Sequence, residues 1–191
     1  MIAFDTISVE STMLEKGYHF GSAIMQKIFE LESKSGAKLS ITQKILLAET
    51  GTVEQVLSIL TDSAVSVKVV QQKERNHVIT RESIIVNNNT GKLLIRAYSK
   101  VFLSNLPLKA QYLIKQKQAS IGGIIYNLRL ETFRRIIEIG YDRGNKLAFR
   151  KYHIIHKNKV AFEIKEELLL EREEEWKNKE ASMNNMFGPD S

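Results

Sequence analysis

HVITRESIIVNNNTGKLLIRAYSKVFL, residues 77–103, reads as two strands folded about a tight turn. Its flanks are rich in β-branched residues, and NNNTG supplies the Asn and Gly that tolerate positive φ in a hairpin. Pro107 ends the unit. Upstream, AVSVKVVQQ (64–72) alternates with the period of a half-buried strand. Downstream, TFRRIIEIGY (132–141), LAFRKYHIIH (147–156) and VAFEIKEELLL (160–170) repeat that character, with DRGN and KNK as the turns between them. Six strands joined mostly by tight turns predict an α+β fold: a six-stranded antiparallel sheet with helices packed on one side.

Helical signals fill the rest. MQKIFELESKSG (25–36) is amphipathic and stopped by Gly36. Ser40 is placed to cap ITQKILLAE, Gly51 breaks that helix, and Thr52 is placed to cap VEQVLSILT. Ile45, Leu46, Val53, Val56, Leu57 and Leu60 form their expected core stripe. KAQYLIKQKQ (109–118) and SIGGIIYNL (120–128) read as two more helices. Residues 1–170 are expected to form one domain. EREEEWKNKEASMNNMFGPDS (171–191) is expected to be an acidic, partly disordered appendage.

The 191 residues are 43% hydrophobic and 26% charged, ordinary values for a globular protein. With no cysteine, disulfides, thiolate nucleophiles and cysteine-bound metals are excluded. MIAFDTISVESTML lacks the basic flank and apolar run of a signal peptide, and no apolar run approaches about 18 residues. A cytoplasmic protein without membrane contact is expected. The net charge is +6, unevenly spread. From Glu163 onward nine acids face four bases, which leaves 13 of the 22 acids and 24 of the 28 bases in residues 1–162, a net of +11. That surplus suits either a nucleic acid or a dianionic metabolite.

Strand alternation selects the residues able to do chemistry. Arg81, Ser83 and Ile85 share one face of their strand, while Val160, Phe162, Ile164 and Glu166 share one face of the last. Glu163, Lys165 and Glu167 point the other way. An arginine on a sheet interior keeps its proton and needs an anion, from the protein or from a ligand. Arg81 and Glu166 facing one pocket would suit a small anionic molecule undergoing proton-coupled chemistry. Alternation alone equally admits a structural Arg81–Glu166 ion pair, or two edge residues reaching water. Gly122–Gly123 offers backbone N–H groups for a carboxylate, or merely tight packing. Of Arg134 and Arg135, one must face inward or sit at an edge. His19, His77, His153 and His156 have no ligand spacing, so no metal site is expected. No Walker or Rossmann glycine motif and no serine-protease-like constellation is recognisable.

ITQKILLAETGTVEQVLS, TRESIIV, the Gly91 hairpin leading to LLIRAYSKV, SIGGIIYNLRLETFRRIIEIG and NKVAFEIKEE, in that order, resemble the chorismate pyruvate-lyase-like family. The likeness runs from about Ile41 to Leu168 and is nearer the archaeal, cyanobacterial and actinobacterial branch than the enterobacterial one. It implies a sheet of six strands closed over a pocket, and conversion of chorismate to 4-hydroxybenzoate, a quinone precursor, and pyruvate without metal or cofactor. Carried over, Arg81 binds the ring carboxylate, Glu166 works on the enolpyruvyl group, and the Ile121–Gly122 backbone helps hold a carboxylate. Thr52 falls where the enterobacterial enzyme has a methionine, and Arg134 is a further substrate-binding candidate. One extra residue precedes Glu166 relative to that enzyme, which leaves Glu163 and Glu167 as alternatives; alternation favours Glu166. With Phe162 and Ile164 beside it, Glu166 is expected to act as a general acid with a carboxyl raised by desolvation.

Two other functions fit the same residues. One is a non-catalytic effector-binding module on the same scaffold, although no helix-turn-helix segment is evident. The other is a nucleic-acid binder, against which the bases are interleaved along the chain rather than clustered with aromatics. The partner expected is therefore a small molecule, chorismate, and not a nucleic acid.

Overall fold

The computed structural model describes residues 6–10, 20–117 and 119–170, so the acidic segment 171–191 lies outside the described residues. Strand β1 (Thr6–Glu10) is followed by helices α1 (Phe20–Ser35), α2 (Ile41–Ala48) and α3 (Val53–Leu60). Strands β2 (Val65–Arg75), β3 (Val78–Asn87) and β4 (Leu93–Phe102) come next, then α4 (Leu108–Lys115) and α5 (Ile121–Asn127). The described chain ends in β5 (Thr132–Asp142), β6 (Leu147–His156) and β7 (Lys159–Leu168).

Among the described residues the sheet has seven antiparallel strands in the order β1-β5-β6-β7-β4-β3-β2, not the six that alternation predicts. The addition is β1, which pairs with β5 from Thr6↔Asp142 to Glu10↔Glu138. TISVE is five residues long with only Ile7 and Val9 apolar, too short a run to register as a strand by pattern. Two meanders, β2–β3–β4 and β5–β6–β7, are joined where β4 pairs with β7.

Local chemistry explains the element ends. The Asn87 side-chain oxygen accepts from the backbone N–H of Asn89 and Thr90, and Gly91 follows at φ +70°. This is the turn for which the Asn/Gly run was suited. Ser40 caps α2 with a full capping box: its hydroxyl accepts from Gln43 N–H, and the Gln43 side chain accepts from Ser40 N–H. The expected Thr52 cap is not made; Thr52 is extended and its side chain forms no capping bond. Helix α1 begins at Phe20, earlier than the amphipathic pattern suggested, and ends before Gly36 at φ +70°.

The five α-helices among the described residues pack on one face through two apolar clusters. At one end of the strands Ile28, Leu31, Leu46 and Leu57 pack on Ile85, Ile95, Ala148 and Leu168. At the other end Ala110, Ile114 and Ile124 pack on Ile79, Val101, Ile154 and Phe162. Between the clusters the same strands carry Arg81 and Ser83 on β3, Ser99 on β4, Arg150 on β6 and Glu166 on β7, all buried. A polar band thus crosses the middle of an otherwise apolar sheet face.

On the edge side of the sheet, Gly140 faces Phe149. A Cβ there would lie 2.2 Å from the Phe149 ring and 2.9 Å from the Ile7 carbonyl. Phe149 is buried and the Ile7 contact is backbone, so neither yields freely. Gly140→Ala is therefore expected to cost about 1–3 kcal/mol by overpacking, read from the urea midpoint.

Candidate active site

Register places the polar band in two rows. Arg81 pairs with Ser99, Ser99 with Ile164, and Ile164 with Tyr152. The next row runs Ser83, Ala97, Glu166, Arg150. Arg81 and Glu166 thus sit on a diagonal, two strands apart, with Cα atoms separated by roughly 12 Å on ordinary sheet spacings. Both side chains turn inward, each only 3% exposed, and line one cavity of about 60 Å³. Glu163 and Glu167 turn outward, beside Lys100 and Lys165 respectively, so Glu166 is the inward glutamate of β7.

Arg81 and Glu166 do not satisfy each other. The Arg81 Nε donates to Gln72 Oε1 at 2.7 Å, Nη1 to the Ala119 carbonyl at 3.1 Å, and Nη2 to the Ile114 carbonyl at 2.7 Å. Every partner is neutral, and among the described residues no carboxylate lies within ion-pair distance of it. Burial pushes its pKa down with nothing opposing, yet a guanidinium stays protonated at any ordinary pH. Three bonds occupy three of five N–H groups. The result is a buried cation with donors to spare and no counter-ion.

Glu166 is held from the other side by two residues that alternation did not single out. Arg150 donates from Nε to Glu166 Oε2 at 2.8 Å, and its Nη2 lies 2.7 Å from the same oxygen. The Tyr152 hydroxyl donates to Oε1 at 2.8 Å. Arg150 also reaches Glu49, the residue after α2, through the Glu49 carbonyl and, at 3.3 Å, its carboxylate. Burial alone would lower the Arg150 pKa; Glu166, with Tyr152 and Glu49, more than offsets this and holds it above its ordinary value. Burial, then the Glu166 charge, holds the Tyr152 phenol well above its ordinary value, with Arg150 opposing. The surroundings expected for Glu166 were apolar; the structure puts a guanidinium and a phenol against its two oxygens instead.

LAFRKYHIIH did carry a signal for these partners. Arg150, Tyr152 and Ile154 alternate on one face, but Phe149 and Ile155 make the other face look equally buried. Face assignment was therefore ambiguous from this strand alone.

The other candidates divide. Ile121, Gly122 and Arg134 line the cavity; Thr52 does not, whereas its neighbours Val53 and Glu54 do. Arg134 faces inward opposite Ile154, with Nη1 donating to the Thr50 carbonyl at 3.0 Å, while Arg135 points outward. The Glu54 carboxylate packs over Gly122, where a Cβ would lie 2.7 Å from its Oε2. The Gly123 N–H is taken by the Ser120 hydroxyl at 2.9 Å.

The outer sheet face forms a larger groove of about 730 Å³, bounded by Lys73, Tyr98, Lys100, Lys151, His153 and Lys165. Size does not decide between them. Three of those lysines are already paired at the surface, with Glu163, Glu138 and Glu167. The unsatisfied buried charge is on the inner face.

Fold and cavity together define a single-sheet α+β protein built around a buried, charged cavity. The "Putative lyase MJ0807" of Methanocaldococcus jannaschii is 34% identical over 167 residues, spanning 74% of this chain and 89% of that protein. At that identity and coverage the chain belongs to the same family, a family of lyases. Chorismate pyruvate-lyase of Mycobacterium tuberculosis is 24% identical over 148 residues, spanning 62% of this chain and 74% of that protein. The Mycobacterium bovis chorismate pyruvate-lyase matches to the same extent. No family model matches the chain. Among the described residues no helix is long and apolar enough to cross a membrane.

Two stability experiments probe the band. Arg150→Met leaves the buried Glu49 and Glu166 carboxylates without their shared cation, and should cost about 3–5 kcal/mol in urea unfolding. Tyr152 keeps its proton in the fold to well above the ordinary 10.0, whereas in the unfolded chain it ionises near that value. Above that pH the unfolded state binds fewer protons, so stability falls as pH rises. In Tyr152→Phe that fall should be shallower by one proton, measured as urea midpoints from about pH 9 to about pH 11.

Proposed function

We propose that this protein is a cytoplasmic chorismate lyase that converts chorismate to 4-hydroxybenzoate and pyruvate without a cofactor. One observation carries the reading: Arg81, a buried cation without a carboxylate partner among the described residues, lines the same cavity as Glu166. Membership of a lyase family, and likeness to proteins named chorismate pyruvate-lyase, support the reaction class.

Chorismate carries two carboxylates, and Arg81 has two N–H groups left to grip one of them as a bidentate pair. The ring then lies along the diagonal toward Glu166. In the reaction the bond from the ring to the enolpyruvyl oxygen breaks, and a ring proton is lost as the new double bond completes the aromatic ring. The departing enolpyruvate takes up a proton on carbon and becomes pyruvate. Aromatisation drives the step, so orientation and a placed proton acceptor are what the protein must add. Glu166 already accepts hydrogen bonds at both oxygens, from Arg150 and Tyr152. In this reading it therefore receives the proton rather than donating one, the reverse of the role that an apolar surround suggested.

A cavity of about 60 Å³ has room for about two waters. A ring acid enters only when α3 and α5 part and Glu54 leaves Gly122, where its charge would oppose a substrate carboxylate at the Ile121–Gly122 backbone. Arg134, inward on β5, is the cation left to meet the second carboxylate.

The test is incubation of the purified chain with chorismate, with pyruvate and hydroxybenzoate followed by chromatography. Arg81→Ala should raise KM by about 10–100-fold through loss of charged hydrogen bonds. Glu166→Gln should lower kcat by about 100-fold or more with KM little changed. Chorismate binding without pyruvate release would leave the effector-binding module in its place.

A further inference from the structure

Ser83 and Ser99 are each only 6% exposed and both line the inner cavity. Neither hydroxyl has a hydrogen-bond partner among the described residues, and each opens onto the cavity rather than being sealed in the packing. The band's other polar groups are bonded: Arg81 to Gln72 and two carbonyls, Glu166 to Arg150 and Tyr152. Two serines left open in an otherwise apolar sheet face therefore point to something that enters the cavity.

Their places say what part of it they meet. In the sheet grid Ser99 lies beside Arg81 in one row, and Ser83 lies across Ala97 from Glu166 in the next. The Arg81–Glu166 diagonal passes between the two serines and crosses β4 between Ser99 and the small side chain of Ala97. A flat ring lying on that diagonal, carboxylate toward Arg81, presents one edge to Ser83 and the other to Ser99. The ring positions so presented are those flanking the axis, not the one at its far end.

We propose that Ser83 and Ser99 recognise an oxygen substituent meta to the carboxylate of a six-membered-ring acid bound by Arg81. The inference deepens the lyase reading, on which it rests for the choice of ring: chorismate carries its enolpyruvyl ether oxygen at that position. Ser83 and Ser99 are then specificity residues. They hold the ether oxygen of the substrate and lose it when the enolpyruvyl group departs, so the product, with oxygen only opposite its carboxylate, is released more readily.

Isothermal titration of the full chain with benzoate, 3-hydroxybenzoate and 4-hydroxybenzoate tests this without any turnover. The parent should bind 3-hydroxybenzoate more tightly than benzoate by about five- to tenfold, the worth of one buried hydrogen bond. Ser83→Ala or Ser99→Ala, both small changes in volume, should cut that ratio several-fold in at least one variant. Benzoate affinity should stay within about twofold, because it meets Arg81 alone. A ratio of 3-hydroxybenzoate to benzoate affinity that is the same in the parent and in both variants overturns the proposal. So does a parent that binds none of the three acids. If the ratio falls as expected but chorismate yields no pyruvate, the lyase reaction fails while the recognition of the meta oxygen stands.

Discussion

Arg150 is the interaction on which the interior depends. It is 2% exposed, and a guanidinium this deep is tolerable only where its donors meet oxygen on every side. Glu166 on the central strand and Glu49 at the end of α2 provide that oxygen, and Tyr152 completes the cage around Glu166. The pairing explains a glycine that helix propensity alone does not. A Cβ at Gly51 would meet Glu49 Oε1 at 2.9 Å, so Gly51 leaves room for the Glu49 side chain to fold back toward Arg150, and a larger residue would shift that carboxylate. A constraint set on β6 thereby reaches the loop that leads into α3, one wall of the cavity.

Arg81 is the counterpart by contrast. Arg150 is neutralised by the protein, whereas Arg81 meets only carbonyl and amide oxygens. Both lie in one polar band between the same two apolar clusters, so burial is common to them and the partner is what differs. A cation whose charge is cancelled is structural; one left with neutral acceptors keeps its attraction for an anion at short range and low dielectric. That difference, rather than the presence of arginine as such, separates the two residues here: one has its charge cancelled within the protein and the other does not. Glu54 over Gly122 adds a second asymmetry, a carboxylate that an incoming anion must displace or avoid.

Most of the strand framework was legible because six of the seven strands are ten or more residues long with period-two patterning in at least part of each, and β-turn chemistry marks their joins. Alternation correctly turned Arg81 and Glu166 inward and Glu163, Lys165 and Glu167 outward. It failed where its signal is weakest. TISVE is a short edge strand whose pairing partner lies more than 120 residues away by numbering. LAFRKYHIIH mixes apolar and charged residues on both faces, so Arg150 and Tyr152 were passed over. Glu49 had no local signal, since its role comes from a residue about 100 positions further on. Thr52 looked like a cap from residue type, but its backbone conformation leaves the hydroxyl unbonded to the helix.

The location of the site follows from how the sheet is assembled. Each meander is local: β2, β3 and β4 pair in sequence, as do β5, β6 and β7. Neither contains the whole candidate site, because Arg81, Ser83 and Ser99 belong to the first and Arg134, Arg150, Tyr152 and Glu166 to the second. The β4–β7 pairing brings them together, and it opposes Ala97 to Glu166 in register. A one-residue slip there would turn Glu166 outward and bring Lys165 or Glu167 into the band. Arg150 and Tyr152, both on β6, fix the register of β7 within the second meander, and the Arg150 bonds to Glu49 tie that pair to the end of α2. The ion pair thus presents Glu166 inward from its own half, while the register between the two halves rests on the β4–β7 ladder itself.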